Sequence, residues 1–154
     1  MALLISHRGN INGINKKLEN TPEYIKNTLD KGYYVMVDVF LVGERFLAIG
    51  CESPEHGINL DFLKNERIIA KARSIECFDF LLTNQIHTFY HDHDACSLTS
   101  GGLIWTRPGS NITQRCIFNM PEWIMSDITE IKDINCAGIC SDKIEEIKNT
   151  RSSN

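Results

Sequence analysis

A chain of 154 residues, 42% apolar and 23% charged, has the composition of one soluble globular domain, long enough to bury roughly 70% of the surface its unfolded form exposes. Its net charge of −4 argues against a duplex nucleic-acid binder, which needs a basic face, but leaves room for a small anion held by a local basic cluster. No run approaches the ~20 apolar residues of a membrane span, and the start MALLISHRGN lacks the pattern of an export signal, so a cytoplasmic protein with reduced thiols is expected.

In chain order, Leu3–Ser6 reads as a first buried strand. Thr21-Pro22-Glu23 is a helix start with a capping hydroxyl, proline in the first turn and an early acid, and Gly32 ends that helix. Residues 33–42 form a long strand rich in aromatic and β-branched side chains, with 46–49 pairing back across Gly43-Glu44. Further strands are expected near 67–72, 87–91, 97–100, 103–106, 116–120 and 137–140. Helices are expected over 75–84 and 142–149, leaving 150–154 as a polar, frayed tail to a single domain spanning 1–149. Counting the hairpin arm as an appendage gives eight strands, the number that closes a TIM barrel. Periodicity alone leaves a reduced barrel and an open α/β sheet equally placed, because residues 91–116 leave little room for connecting helices.

Six cysteines are scattered without a CxxC pair. Cys136 and Cys140 are four apart and lack a second ligand pair, which argues against a structural zinc site. The sequon at Asn111 carries no weight in a chain without an export signal.

The sharpest chemical signal is His7-Arg8-Gly9 at the end of the first strand. Histidine exchanges protons near neutral pH, arginine grips phosphate, and glycine admits close backbone approach. The alternative is an ordinary polar loop. Asp38 lies inside an apolar strand, where a carboxylate needs a metal or a basic partner such as Arg8 or Lys71.

Together with Glu19-Asn20-Thr21, the hairpin, and later pieces such as Ala70-Lys71 and Gly138-Ile139-Cys140-Ser141-Asp142, these residues resemble the glycerophosphodiester phosphodiesterase family, in its compact, divergent form. The resemblance implies a compact (β/α)8 TIM-type barrel with several reduced or missing helices. It implies hydrolysis of a phosphodiester by histidine acid/base catalysis with a divalent metal, Mg²⁺ or Ca²⁺. The ligand would be a small phosphodiester. His7 would be the first catalytic histidine, Arg8 and Lys71 would bind phosphate, and Glu19 and Asn20 would support the site. Asp38 would be one acid of the metal motif.

Two positions depart from that pattern. Met36 stands where the other metal acid belongs, and Cys51-Glu52 stands where a second catalytic histidine and its neighbouring acid belong. Thioether sulfur is a poor ligand for a hard cation, so a rebuilt site would draw on Asp38, His91, His93 and Asp94, a set suited to Mn²⁺ or Zn²⁺. A polar strand end with nothing bound is the alternative. The same departures fit a catalytically impaired relative that binds a phosphorylated ligand or a protein partner.

Overall fold

The computed structural model describes residues 1–153. Ten strands form one sheet: β1 (Leu3–His7), β2 (Tyr34–Val42), β3 (Phe46–Ile49), β4 (His56–Ile58), β5 (Ile68–Ala72), β6 (Thr88–Phe89), β7 (Cys96–Leu98), β8 (Ile104–Thr106), β9 (Cys116–Asn119) and β10 (Gly138–Ser141). Four helices accompany them: α1 (Pro22–Asp30), α2 (Leu60–Leu63), α3 (Ile75–Thr83) and α4 (Ile144–Ser152). Short 3-10 turns occupy Pro121–Trp123 and Ile128–Asp133.

The expected helix starts form for the expected reasons. Thr21 caps α1 by accepting from the Tyr24 amide, with Pro22 in the first turn, and Ser74 caps α3 through the Cys77 amide at 3.0 Å. Helix α4 runs past residue 149, so no frayed tail begins at 150. Arg151 ties its last turn to the carbonyls of Ile131 (2.7 Å) and Ile134 (3.3 Å).

The TIM-type barrel is not formed. The sheet is a curled half-barrel of mixed pairing, with main path β4-β3-β2-β1-β10-β9-β8-β7 and with β5 and then β6 branching from β2. Pairing is parallel from β6 through β5, β2, β1, β10 and β9 to β8, whereas β3, β4 and β7 are antiparallel additions. A TIM barrel alternates each strand with a covering helix. Here residues 90–95, 99–103 and 107–115 are too short to hold one, so β7 folds back on β8 instead. All strand positions but that of β4 were legible because alternation and branching are local; of the pairings, only the β2–β3 hairpin was.

Three apolar clusters hold the sheet. One packs α1 and α3 on β2, β3 and β5. A second packs α4 and the 3-10 turns, including Ile131, Ile144 and Ile147. The third fills the inside of the curl with Ile5, Met36, Ile69, Phe89, Trp105, Ile117 and Cys140, and Phe89 stacks on Trp105 at 4.4 Å between centroids. Successive strand side chains alternate between faces. The residues two positions beyond this inner layer are therefore aimed at the open end of the same curl: His7 after Ile5, Asp38 after Met36, Lys71 after Ile69, Asn119 after Ile117 and Asp142 after Cys140.

Candidate functional site

The site grows from the end of β1. His7 Nδ1 meets Asp142 Oδ1, just past β10, at 2.9 Å. Asn10, fully buried, donates through Nδ2 to the same Asp142 oxygen (2.8 Å) and to Glu19 Oε2 (3.0 Å). Glu122 sets Asp142 from behind: its Oε1 accepts from the Asp142 amide (2.9 Å) and from Ser141 Oγ (2.8 Å). Glu122 Oε2 is buried with no protein partner among the described residues.

Between these contacts the chain takes a sharp turn. Arg8 (φ 60°) and Gly9 (φ 91°) are both in the left-handed region, costly for a non-glycine residue. The cost is held by long-range bonds: the Arg8 amide donates to Met36 O (2.9 Å), and its carbonyl accepts from the Asn20 amide (3.0 Å). Gly9 is required twice over, since a Cβ there would stand 2.6 Å from the Tyr24 ring.

Asp38 is the centre of the second network. It is completely buried, and both of its oxygens are taken by cations. Arg8 Nε donates to Oδ2 at 2.8 Å and Arg73 Nη1 to Oδ1 at 3.1 Å. Asn20 Nδ2 adds a bond to Oδ2 (2.9 Å) and another to the Gly50 carbonyl (3.0 Å). Arg8 also reaches Glu19 Oε1 at 3.3 Å, and Arg73 reaches the Cys51 carbonyl at 2.6 Å. Burial opposes the Arg8 charge, but Asp38, Cys51 and Glu19 outweigh it and raise its pKa.

Lys71, opposite Asp38 in the β2–β5 register, has no carboxylate within ion-pair distance among the described residues. Burial lowers its pKa, and Arg73 and Arg8 lower it further against the pull of Asp38. Lys71 and Arg8 thus make one stretch of the cleft wall locally positive, with Arg73 beside them.

His7, Arg8, Glu19, Lys71 and Asp142 line a cleft of about 710 Å³, together with Cys51, Glu52, His91 and others, while Asn20 and Asp38 stand buried behind Arg8; a smaller recess of about 300 Å³ lies beside it against Arg8, Lys71 and Arg73. His7, Arg8, Glu19, Asn20, Asp38 and Lys71 are thus brought together. Cys51 joins them through a 3.3 Å contact from Sγ to Glu19 Oε1. Burial first, then that contact, pushes its thiol up to about 11, which suits neither a thiolate nucleophile nor an acid at neutral pH. Glu52 is exposed at the cleft edge.

The expected metal set does not assemble. Strand β6 stops at Phe89, so His91 and His93 share no strand face. His91 Nδ1 meets Ser97 Oγ at 2.9 Å, while burial and Lys71 lower its pKa. The His93 side chain is 94% exposed and pairs only with that of its neighbour Asp92, and Asp94 is exposed. Met36 packs in the inner apolar layer, and Asp38 has spent its oxygens on arginines. Among the described residues no three His, Cys, Asp or Glu side chains are grouped to hold a metal. The donor set does not fit the divalent ion that the family resemblance implies.

Four contributors escaped the sequence reading: Asn10, Arg73, Glu122 and Asp142. Asp142 and Arg73 each stand just past an apolar strand, as Arg8 does, and that shared position is the signal for them. Nothing local marks Asn10 or Glu122. No helix among the described residues is long and apolar enough to cross a membrane. Comparison with known proteins finds no matching family model, curated protein or solved structure.

Proposed function

We propose that this protein binds a phosphodiester in the cleft and acts on it by proton transfer through His7. The carrying observation is the His7–Asp142 pair in one cleft with Arg8 and Lys71, with Arg73 in the smaller recess beside it. Asp142 accepts the Nδ1 proton, which leaves Nε2 of the neutral ring as the basic nitrogen. Nε2 takes a proton from water, or from a hydroxyl of the substrate, as that oxygen attacks phosphorus. The phosphorus–oxygen bond to the leaving alcohol breaks, and the imidazolium returns the proton to it. Arg8 and Lys71 hold the non-bridging oxygens and offset the charge that builds on them. The two guanidinium groups on Asp38 occupy both oxygens of the carboxylate that the family resemblance gives to a metal.

A second reading, binding without turnover, is favoured by Met36 and Cys51. The raised Cys51 thiol leaves no second proton donor where a histidine was expected. Release of alcohol from glycerophosphocholine and from bis(4-nitrophenyl) phosphate, with and without EDTA, separates the two. Turnover that persists in EDTA and falls about 10²–10⁴-fold in His7→Ala supports the first reading. No turnover, with saturable glycerol 3-phosphate binding that Arg8→Gln removes, selects the second. Loss of both turnover and binding overturns the two together.

A further inference from the structure

The cleft is divided, and the sheet order divides it. On one side of the His7–Asp142 pair, Arg8 follows β1 and Lys71 stands on β5, with Arg73 just past β5 in the smaller recess beside them. On the other side, β9 and β8 and the segments after them bring Trp105, Pro108, Met120 and Trp123 to the same cleft, and Ile14 joins from the loop after β1. Trp105 and Met120 are buried, whereas Trp123 and Ile14 are 62% and 58% exposed. Single exposed apolar side chains are ordinary on protein surfaces. Two of them, from segments more than a hundred positions apart, converge on a cleft already floored by apolar groups and make one continuous apolar wall. Met120 is held there at φ 52°, an unfavourable conformation fixed by its amide bond to Cys140 O at 2.8 Å.

Building on the phosphate-binding reading above, we infer that this second arm takes an alkyl or acyl chain, so that the ligand is an amphiphilic phosphate ester. A phosphate held by Arg8 and Lys71 directs one ester substituent across His7 toward Trp123. A flexible chain fits better than a nucleobase, because the arm has few groups to read a base edge. The Thr106 hydroxyl is spent on the Ile117 carbonyl at 2.7 Å, leaving Asn119 as the polar side chain of the floor. Lys16 and Arg107, exposed at the rim, add positive charge that suits the same anionic ligand.

The test uses methyl phosphate, octyl phosphate below its micelle concentration, and phenyl phosphate. The chain has two tryptophans, so Trp105→Phe leaves Trp123 as the sole indole reporter of binding by fluorescence. Calorimetry on the wild type provides a second measure. Burial of methylene groups predicts octyl phosphate binding at least tenfold tighter than methyl phosphate, with a blue shift of Trp123 emission. Trp123→Ala should bring the ratio of the two affinities toward one. Equal affinity for the two in the wild type overturns the chain-binding arm while the phosphate site stands. Tighter binding of phenyl phosphate than octyl phosphate overturns it in favour of a planar ring. Octyl binding unaffected by Arg8→Gln and by Lys71→Met, with no methyl phosphate binding, overturns the phosphate reading itself.

Discussion

The strand ends around Asp38 and the segment 91–94 contain similar side chains and do opposite things. Asp38 is fully buried, and two arginines and an asparagine saturate its oxygens. The carboxylates of Asp92 and Asp94 are exposed, and the His93 side chain meets only that of its neighbour Asp92. By residue type the second region is the better metal site. Position reverses that: a carboxylate two residues beyond an inner-layer core residue is fixed by the sheet, whereas one past the end of the two-residue strand β6 is fixed by nothing.

The contrast can be pressed hardest at Asp38. Asp38→Ala leaves two arginines facing each other without their carboxylate and should cost about 3–5 kcal/mol, toward the lower figure because both keep a water-facing edge. Urea unfolding would measure it. Glu122→Ala comes next. It strips the Asp142 amide of its acceptor, for about 1–3 kcal/mol, and should lower turnover through His7, while Glu122→Gln retains an acceptor and most of both.

Lys71→Met yields a smaller effect of opposite sign. Burial and the neighbouring arginines hold the Lys71 pKa below its ordinary 10.5, so folding penalises the ammonium. That penalty is complete below the folded pKa and is relieved as pH rises from there to 10.5. The ligand-free wild type should therefore gain stability across that window, and Lys71→Met should be more stable at neutral pH and lack the rise. Phosphate-ester affinity should run the other way, falling over the same window, and should collapse in the variant. Denaturation midpoints and calorimetry at stepped pH check both. Smallest of all, alanine at Asp92, His93 and Asp94 should each move stability by no more than about 0.5 kcal/mol. A larger change would show that this segment is organised after all.

Much of the site was legible before the fold. His7, Arg8, Glu19, Asn20, Asp38 and Lys71 stand out because polar groups are conspicuous at the ends of apolar runs, and pairing of Asp38 with Arg8 was one of the partners that burial demanded. Asp142 closes one of the pieces that carry the resemblance, which assigns it no role, and Arg73 belongs to none of those pieces. The role of Glu122 was not legible, since it acts through the Ser141 hydroxyl and the Asp142 amide, nineteen and twenty positions on.

The sequence by itself determined where most of the strands run and where α1 and α3 begin, since alternation, branching and capping act within a few residues, though β4 went unread. It also determined that His7 and Arg8 stand at a strand end with a glycine after them. Apart from the β2–β3 hairpin, which the sequence did indicate, pairing was decided by the tertiary structure. Strand β7 turned back on β8 because the connections were too short for helices, and the expected barrel became a curled half-barrel. The same long-range geometry gave Asp38 to two arginines rather than to a metal and gave His7 to Asp142. Those outcomes rest on contacts 30, 35 and 135 residues apart, beyond the reach of any local pattern.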